Sequence, residues 1–88
     1  MLACDLGAGS GRALLGHLND RGIETSEIHR FKNEPVKVGE RMHWDILRLH
    51  HELLQGLTLV KQQGEQPESL GIDSWGVDFG LLGSNGEL

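Results

Sequence analysis

The residue types best suited to chemistry lie near the start of the chain, in a glycine-rich stretch from Asp5 to Arg12. Glycine lets the backbone turn sharply and approach a ligand closely, because it has no Cβ. Successive N–H groups in such a turn can surround a phosphate, while Ser10 adds a hydroxyl and Arg12 a positive charge. An ionised Asp5 only accepts hydrogen bonds, so it suits a metal ion, a metal-bound water or a ribose hydroxyl. The stretch, whose glycines are Gly7, Gly9 and Gly11, predicts a nucleotide site without specifying the nucleotide or the fold.

The composition excludes several classes of protein. The 88 residues are enough for one domain at most and include 13 glycines, about twice the usual share of roughly 7%. The formal net charge is −5 and the basic residues are scattered, which predicts neither a nucleic-acid partner nor a membrane partner. No apolar run approaches the roughly 20 residues of a membrane span. Cys4 is the only cysteine, so an internal disulfide is impossible and a cytoplasmic location is expected.

The elements around the glycine-rich stretch predict strands rather than a helical bundle. Residues 2–4 indicate a short buried strand. Residues 12–18 fit either one face of a short helix or a strand that is buried on both faces. Residues 19–22, Asn-Asp-Arg-Gly, are typical of a turn. Residues 23–31 favour a strand whose alternation slips near Glu27, so we interpret residues 12–31 as a β-hairpin.

One segment predicts a helix clearly. Asp45 is a good N-cap, and apolar residues recur at helical spacing over residues 46–60. We interpret Trp44 as packing beside the start of this helix. Gly64 suits the C′ position that follows a helix. Gly56 is unfavourable inside a helix by about 1 kcal/mol relative to alanine, but it would permit close packing on a sheet.

The remaining segments predict short extended pieces and turns. Residues 33–42 are expected to be irregular, with residues 36–38 extended. Residues 70–73 predict a second short strand that ends in an acid, and residues 74–76 a turn or bend. Residues 77–82 alternate between large apolar residues and other residues in part, which favours a further strand.

The last residues predict a hairpin that the sequence does not finish. Residues 84–86, Ser-Asn-Gly, contain a strong two-residue hairpin signal. The returning strand would begin at residues 87–88, where the sequence stops. A hairpin turn without its second arm leaves an open strand edge. We therefore expect the chain to be part of a longer protein, cut near the middle of a domain.

Two families share the pattern of the glycine-rich stretch. Residues 5–11, read as D-x-G-x-G-x-G, resemble motif I of S-adenosylmethionine-dependent methyltransferases, in which the strand leads into a helix. The same residues resemble the first phosphate loop of the actin-like sugar kinases, in which the strand leads into a hairpin. A Rossmann dinucleotide fingerprint fits less well, because its third glycine position is occupied by Arg12. A glycine turn without a ligand, in a non-catalytic α/β protein, is the simplest alternative.

A second segment, residues 71–79, favours the kinase interpretation. Its sequence, Gly-Ile-Asp-Ser-Trp-Gly-Val-Asp-Phe, resembles a segment of the FGGY-family carbohydrate kinases. The resemblance is also carried by residues 5–12, and by residues 29–31 together with residues 44–45. Order and spacing agree along essentially the whole chain. The methyltransferase pattern, in contrast, covers the first segment only.

The resemblance implies the fold and the activity. The fold would be α/β, as part of the N-terminal actin-like ATPase (ribonuclease H-like) domain, with a mixed sheet, a β-hairpin after the glycine loop and one main helix. Residues 1–88 would be the N-terminal part of the first actin-like domain. The complete protein would transfer the γ-phosphate of ATP to a hydroxyl of a small ketose, with L-rhamnulose as the expected acceptor.

The resemblance also implies an ATP site in the glycine-rich stretch. Backbone N–H groups, one hydroxyl and one guanidinium would bind the ATP phosphates, and Asp5 would help to hold Mg²⁺ through water. Phosphoryl transfer depends mainly on positioning and on neutralisation of charge, and such a loop supplies part of both. The residues expected to bind ATP are Ala8, Gly9, Ser10, Gly11 and Arg12.

The sugar would lie against Gly76, with Trp75 and Asp78 close by. In this family the catalytic base is an aspartate far downstream, and no residue of this chain matches it. A kinase needs a group that accepts the proton of the attacking hydroxyl. The chain alone is therefore expected to be inactive and to work only with the remainder of the kinase chain.

These residues also have ordinary structural explanations. Trp75 suits core packing as well as the C–H face of a sugar, and Asp78 suits a solvated strand position. The histidines do not predict a zinc site. His50 and His51 are adjacent and would point to different faces of the helix, and no other ligand is spaced to join His43 and His50.

Overall fold

The computed structural model describes all 88 residues, and the chain forms six strands and one helix. Four of the strands form one mixed sheet in the order β3-β2-β1-β6, in which β1 is antiparallel to β2, β2 is antiparallel to β3, and β1 is parallel to β6. The other two strands pair with each other. The fold is therefore α/β with a mixed sheet, a hairpin after the glycine loop and one main helix, as predicted. The elements are β1 (Leu2–Leu6), β2 (Ser10–Asn19), β3 (Gly22–Lys32), β4 (Val36–Val38), β5 (Arg41–His43), α1 (Ile46–Gln62) and β6 (Leu70–Ser74).

The hairpin of β2 and β3 confirms the interpretation of residues 12–31. Strand β2 continues through residues 12–18, so the helical alternative for that segment is wrong. A two-residue turn separates Asn19 from Gly22, which pair with each other. Gly22 has a φ of 120°, a conformation that glycine adopts without the steric cost of a Cβ.

A β-bulge explains the slip in the alternation of β3. Ala13 pairs with His29, but its neighbour Leu14 pairs with Glu27, so Ile28 has no partner of its own. An extra residue of this kind bends the strand and increases its twist. The slip predicted near Glu27 is confirmed by this change of register.

The core lies between one face of the sheet and α1. Alternate residues of β1 and β2 point to this face, and their apolar side chains pack with one residue of the helix. Burial raises the pKa of the Cys4 thiol, so this group stays protonated at neutral pH and serves as a small apolar side chain. The core cluster consists of Leu2, Cys4, Ala13, Leu15 and Val60.

The bounds of α1 follow from its caps. The Asp45 side chain accepts a hydrogen bond from the backbone N–H of Arg48 at 3.1 Å, which satisfies one of the free donors of the first turn. After the C-cap Gln63, Gly64 has a φ of 77°, as a C′ glycine does. Both predicted helix signals are confirmed.

Gly56 lets the helix approach the sheet closely. It is buried, and a Cβ built at this position would lie 3.1 Å from the Cβ of Ala13. That is shorter than an ordinary contact between two carbon atoms, which is about 3.5–4.0 Å. The glycine inside the helix, which costs helix propensity, is thus explained by packing, as predicted.

Two predictions of local structure are wrong. Residues 36–38 are extended as predicted and form β4, but the rest of the segment predicted to be irregular contains β5, which pairs with β4 through a turn that includes Gly39 with a φ of 64°. Residues 77–82 form no strand, although their pattern favours one. A strand needs a neighbour for its backbone hydrogen bonds, and no segment of this chain pairs with these residues. Their large side chains remain mostly exposed, as Phe79 shows with 84% exposure.

The predicted hairpin turn near the end of the chain forms without its arms. The N–H of Gly86 donates to the carbonyl of Gly83 at 2.9 Å, and Gly86 has a φ of 78°. The local turn chemistry is therefore satisfied by short-range contacts alone. No helix in the structure has the length and apolar character that a membrane crossing requires.

A buried ion pair fastens the helix to β3. The Glu52 carboxylate is 5% exposed and contacts the imidazole of His29 and the guanidinium of Arg48, the latter at 2.8 Å. Burial by itself would raise the pKa of Glu52, but the hydrogen bond from His29 and the charges of Arg48, His29 and His51 outweigh burial and hold that pKa below its ordinary value. The ionised carboxylate is thus favoured by the folded state.

This ion pair predicts a specific dependence of stability on pH. Because the pKa of Glu52 is lower in the folded state, its contribution is complete above the ordinary value of 4.5 and is lost as the pH falls through the folded pKa. We expect Glu52→Gln to lower the free energy of unfolding by about 1 kcal/mol at pH 6. The difference from the unsubstituted protein should shrink at pH 3, as measured by urea denaturation.

The matched control is Glu68→Gln, because Glu68 is exposed and forms no ion pair in the structure. It should leave the free energy of unfolding unchanged at both pH values. A Glu52→Gln variant that is destabilised equally at pH 6 and pH 3 would show that the charge of Glu52 is unimportant.

Candidate functional site

The glycine loop connects β1 to β2. Leu6 pairs with Gly11 across the two strands, and the N–H of Gly7 donates to the carbonyl of Ser10 at 3.0 Å. None of the three loop glycines has a positive φ. A left-handed turn is therefore not what requires glycine in this loop.

Two of these glycines are required by the chain itself. A Cβ at Gly7 would lie 2.9 Å from the carbonyl oxygen of Ser10, and a Cβ at Gly11 would overlap the ring of Phe31. Gly9 differs, because a Cβ there would have no atom within 4 Å. Nothing in the chain requires a glycine at position 9, so the space above it is open to a ligand.

Asn33, which the sequence did not single out, holds the carbonyl groups of the loop. Its side-chain Nδ2 donates to the carbonyl of Gly7 at 2.7 Å, and its backbone N–H donates to the carbonyl of Gly9 at 3.2 Å. Asn33 is only 7% exposed. The backbone N–H groups of Ala8 and Gly9 have no acceptor in the chain. The carbonyls of Gly7 and Gly9 are therefore held by Asn33 while two backbone donors of the loop stay free, an arrangement that suits an anion.

The β2–β3 hairpin is the signal by which Asn33 could have been found. Ser10 pairs with Lys32, so the next residue of the chain, Asn33, must lie opposite Gly9. The pairing of β2 with β3 is known only once the bulge at Ile28 is placed. Sequence spacing alone does not indicate this contact, because Gly7 and Asn33 are 26 positions apart.

A row of charged residues crosses the sheet beside the loop. Asp5 pairs with Arg12 on the antiparallel strand β2 and with Asp73 on the parallel strand β6. Asp5 follows the buried Cys4 in β1, so its side chain points to the face of the sheet opposite the core. Arg12 and Asp73 lie on the same face, because paired residues on neighbouring strands point to the same side. The Arg12 guanidinium lies 3.4 Å from the Asp5 carboxylate, and both side chains are 42% exposed. A half-exposed ion pair of this kind is weak, so Asp5 or Arg12 can leave its partner and bind a ligand group instead.

A cavity of about 290 Å³ opens where β1 and β6 end. It brings Asp5 of the predicted metal site and Ala8 of the predicted ATP site together with Trp75 of the predicted sugar site. The other predicted ATP residues, Gly9 to Arg12, do not line it; Gly9 lies in the loop and the others in β2. The cavity is lined by Asp5, Leu6, Gly7, Ala8, Asp73, Ser74 and Trp75.

The segment that follows β6 forms a turn. The N–H of Asp78 donates to the carbonyl of Trp75 at 3.0 Å, and the Asp78 carboxylate accepts a hydrogen bond from the indole N–H of Trp44 at 2.8 Å. Gly76 lies inside the turn, and a Cβ there would have no atom within 4 Å. Trp75 is 55% exposed, so it is not a core residue in this structure. Trp44 therefore connects the start of α1 to the predicted sugar residues.

The carboxylates of this site suit a Mg²⁺ ion whose other ligands are waters and substrate phosphates. Asp5 and Asp73 supply two carboxylates on neighbouring strands, and no group of three or more His, Cys, Asp and Glu side chains is arranged to hold a metal. Magnesium keeps several waters and is usually held by one or two carboxylates together with substrate phosphates. The residues present therefore fit an ion that arrives with a nucleotide.

The chain is similar to curated proteins along nearly its whole length. It is 49% identical over 86 residues to a protein named rhamnulokinase from Bacteroides thetaiotaomicron, a match that covers 98% of this chain and 18% of the relative. It is 44% identical over 84 residues to the rhamnulokinase of Oceanobacillus iheyensis, covering 96% of this chain and 18% of the relative. It is 42% identical over 89 residues to the rhamnulokinase of Pectobacterium atrosepticum, covering 99% of this chain and 18% of the relative.

No family model matches the chain. The chain spans about 18% of the length of the curated relatives named above. The methyltransferase alternative receives no support from these relatives, and the strand at residues 12–18 contradicts the helix that it requires. The resemblance to carbohydrate kinases is confirmed, and the chain is related to the rhamnulokinases over nearly all of its 88 residues.

Proposed function

We propose that this chain forms the ATP-phosphate loop and part of the sugar site of an ATP-dependent kinase that converts L-rhamnulose to L-rhamnulose 1-phosphate. The proposal is supported by the names of the relatives and by one observation in the structure: the loop has two free N–H donors, at Ala8 and Gly9, next to the Asp5 carboxylate. The strand order and the hairpin are compatible with a partial actin-like ATPase domain. We assign residues 1–88 to the first such domain of a longer cytoplasmic kinase.

On the ATP side, the loop supplies donors and the sheet supplies charge. The N–H groups of Ala8 and Gly9 and the Ser10 hydroxyl donate to phosphate oxygens, and Arg12 adds a positive charge from β2. Asp5 would help to hold Mg²⁺ through a water, and the bound ion would supply neutralisation of part of the phosphate charge. The remaining residue assigned to this side, Gly11, supports the loop by accommodating the ring of Phe31.

On the sugar side, the turn after β6 supplies a flat apolar surface and an acceptor. The exposed ring of Trp75 suits the C–H face of a sugar, and Gly76 leaves room for the sugar to approach the backbone. Asp78 is oriented by the indole of Trp44 and can accept a hydrogen bond from a sugar hydroxyl with its remaining lone pairs. The cavity at the ends of β1 and β6 lies between this turn and the glycine loop.

Phosphoryl transfer requires one more group. A base must accept the proton of the attacking hydroxyl, and we assign no residue of this chain to that role. The chain covers only 18% of the relative from Bacteroides thetaiotaomicron, so that relative is more than five times as long as the chain. The remainder of the kinase therefore supplies the base, and the 88 residues alone transfer no phosphate.

The test is an assay of the complete kinase with a panel of ketoses and with ATP and Mg²⁺. ADP should form most rapidly with L-rhamnulose, and the product should be phosphorylated at O1, as shown by NMR. The proposal fails if the complete protein does not bind ATP and Mg²⁺, or if no ketose accelerates ADP formation.

The sugar side gives a prediction of its own. Because the space at Gly76 is open in the chain, Gly76→Val should leave the folded state intact and block the approach of the sugar. We expect KM for the ketose to rise by at least about tenfold, since one misplaced substrate contact costs this much or more. The dissociation constant of ATP should remain within a factor of about two.

The control for this variant is Gly71→Val. Gly71 lies in β6, where a Cβ would also have no atom within 4 Å, and it does not line the cavity. It should change neither KM. An unchanged KM for the ketose in Gly76→Val would remove Gly76 from the sugar site.

A further inference from the structure

Asn33 occupies the one buried polar position that contacts the glycine loop from another part of the chain. It lies just after β3, is 7% exposed, and donates to two loop carbonyls, those of Gly7 and Gly9. Neither the resemblance nor the relatives' names assign it a role. It touches the backbone of the loop and does not line the cavity, so it is not a group that would contact the substrate directly.

We infer that Asn33 is a positioning residue for nucleotide binding, which fixes the loop carbonyls so that the N–H groups of Ala8 and Gly9 stay available to phosphate. The inference rests on the proposed function, because it assumes that the loop binds ATP. It adds a residue to that function and explains how a loop rich in glycine keeps one conformation.

The physical reason is the backbone freedom of glycine. Gly7 and Gly9 can each adopt a wide range of backbone angles, so an unrestrained loop would have to be ordered by the ligand. A carbonyl that swings toward the phosphate would also repel it. Asn33 removes both problems with two hydrogen bonds, one from its side chain and one from its backbone. Preorganisation of this kind increases affinity by reducing the ordering required on binding.

The position of Asn33 depends on β3, which makes the support rigid. The strand is paired with β2 up to Lys32, which is opposite Ser10, and the backbone N–H of Asn33 extends this pairing to Gly9. Its side chain then reaches across the loop to Gly7. A side chain shorter than asparagine would not reach the Gly7 carbonyl from this position. An aspartate would reach it but would place an acceptor against that carbonyl oxygen.

The test uses the complete kinase with Asn33→Ala. The dissociation constant of ATP in the presence of Mg²⁺, and KM for ATP, should rise about five- to tenfold, the effect of losing one such hydrogen bond. The rate at saturating ATP and KM for the ketose should remain within a factor of about two. This split between KM and kcat is not expected of a residue that only stabilises the fold, whose loss would lower the amount of active enzyme.

Two further variants keep the result interpretable. If Asn33→Ala does not fold, Asn33→Ser retains a polar group in the same space but is too short to reach Gly7, and it should show the same rise in KM for ATP. Asn33→Asp should weaken the binding of ATP at least as much as Asn33→Ala does. Its charge-matched control is Asn19→Asp, because Asn19 accepts a hydrogen bond from the N–H of Arg21 in the β2–β3 turn and an aspartate can do the same.

The outcomes separate the two proposals. If the unsubstituted kinase binds ATP and Asn33→Ala and Asn33→Ser bind it equally well, the role of Asn33 is wrong and the proposed function stands. The role of Asn33 is also wrong if KM for the ketose and KM for ATP rise together. If the unsubstituted kinase does not bind ATP, both proposals fail.

Discussion

Replacement of Gly9 by valine should reduce kcat/KM for ATP by about 100-fold or more in the complete kinase, without loss of stability. The chain leaves space at this position, since a Cβ at Gly9 would have no atom within 4 Å. The valine would therefore occupy the space in which we place the phosphates, and a displacement of about 1 Å at a reacting group can cost about 100-fold. The measurement is steady-state kinetics with ATP as the varied substrate, together with a thermal melt.

The matched control is Gly71→Val, which adds the same side chain at another open glycine outside the cavity. It should melt at the same temperature as Gly9→Val and retain full activity. Comparison with Gly76→Val adds a second discrimination, because that variant should affect the ketose and not ATP. If Gly9→Val retained normal kinetics, the glycine loop would not be the phosphate site.

Replacement of Gly56 by leucine should lower the free energy of unfolding more than Glu52→Gln does. A Cβ at this position already lies 3.1 Å from the Cβ of Ala13, so three further carbon atoms have no room between the helix and the sheet. Overpacking of a well-packed core typically costs about 1–3 kcal/mol. We expect the helix to move away from β2 and the free energy of unfolding to fall by about 3 kcal/mol, as measured by urea denaturation.

The control lies one position away on the same helix. Gln55 is exposed, so Gln55→Leu introduces the same side chain on the solvent side and should change the free energy of unfolding by less than about 0.5 kcal/mol. A Gly56→Leu variant as stable as Gln55→Leu would show that the helix does not depend on close contact at this glycine.

The elements that sequence reasoning predicted correctly are those whose signals are local. The caps of α1, Asp45 and Gly64, act within one turn of the helix, so their residue types indicate its ends. The turn at residues 19–22 and the slip near Glu27 are also visible in a short window of sequence. For residues 12–18 the local pattern allowed a helix or a strand, and the turn that follows favoured the hairpin.

The strand predicted at residues 77–82 shows the limit of local patterns. Its alternation is real, but a strand forms only when a neighbour accepts and donates its backbone hydrogen bonds. No part of this chain lies beside it, and side chains such as Phe79 remain exposed. Residues 36–38 were correctly predicted to be extended, but their pairing with β5 was not predicted, because a three-residue strand is too short to show a period.

The glycine loop that opens the chain, the hairpin that follows it, the main helix and the relation to carbohydrate kinases could all be predicted from the amino-acid sequence. These depend on residue types at short spacing. Only the tertiary structure placed Asp73 beside Asp5, Trp44 on Asp78, and Asn33 under the loop. Each of these contacts joins residues more than 25 positions apart, and such contacts depend on strand order, on the bulge at Ile28 and on side-chain direction. That is why the loop was found in the sequence, and the residue that holds it only in the fold.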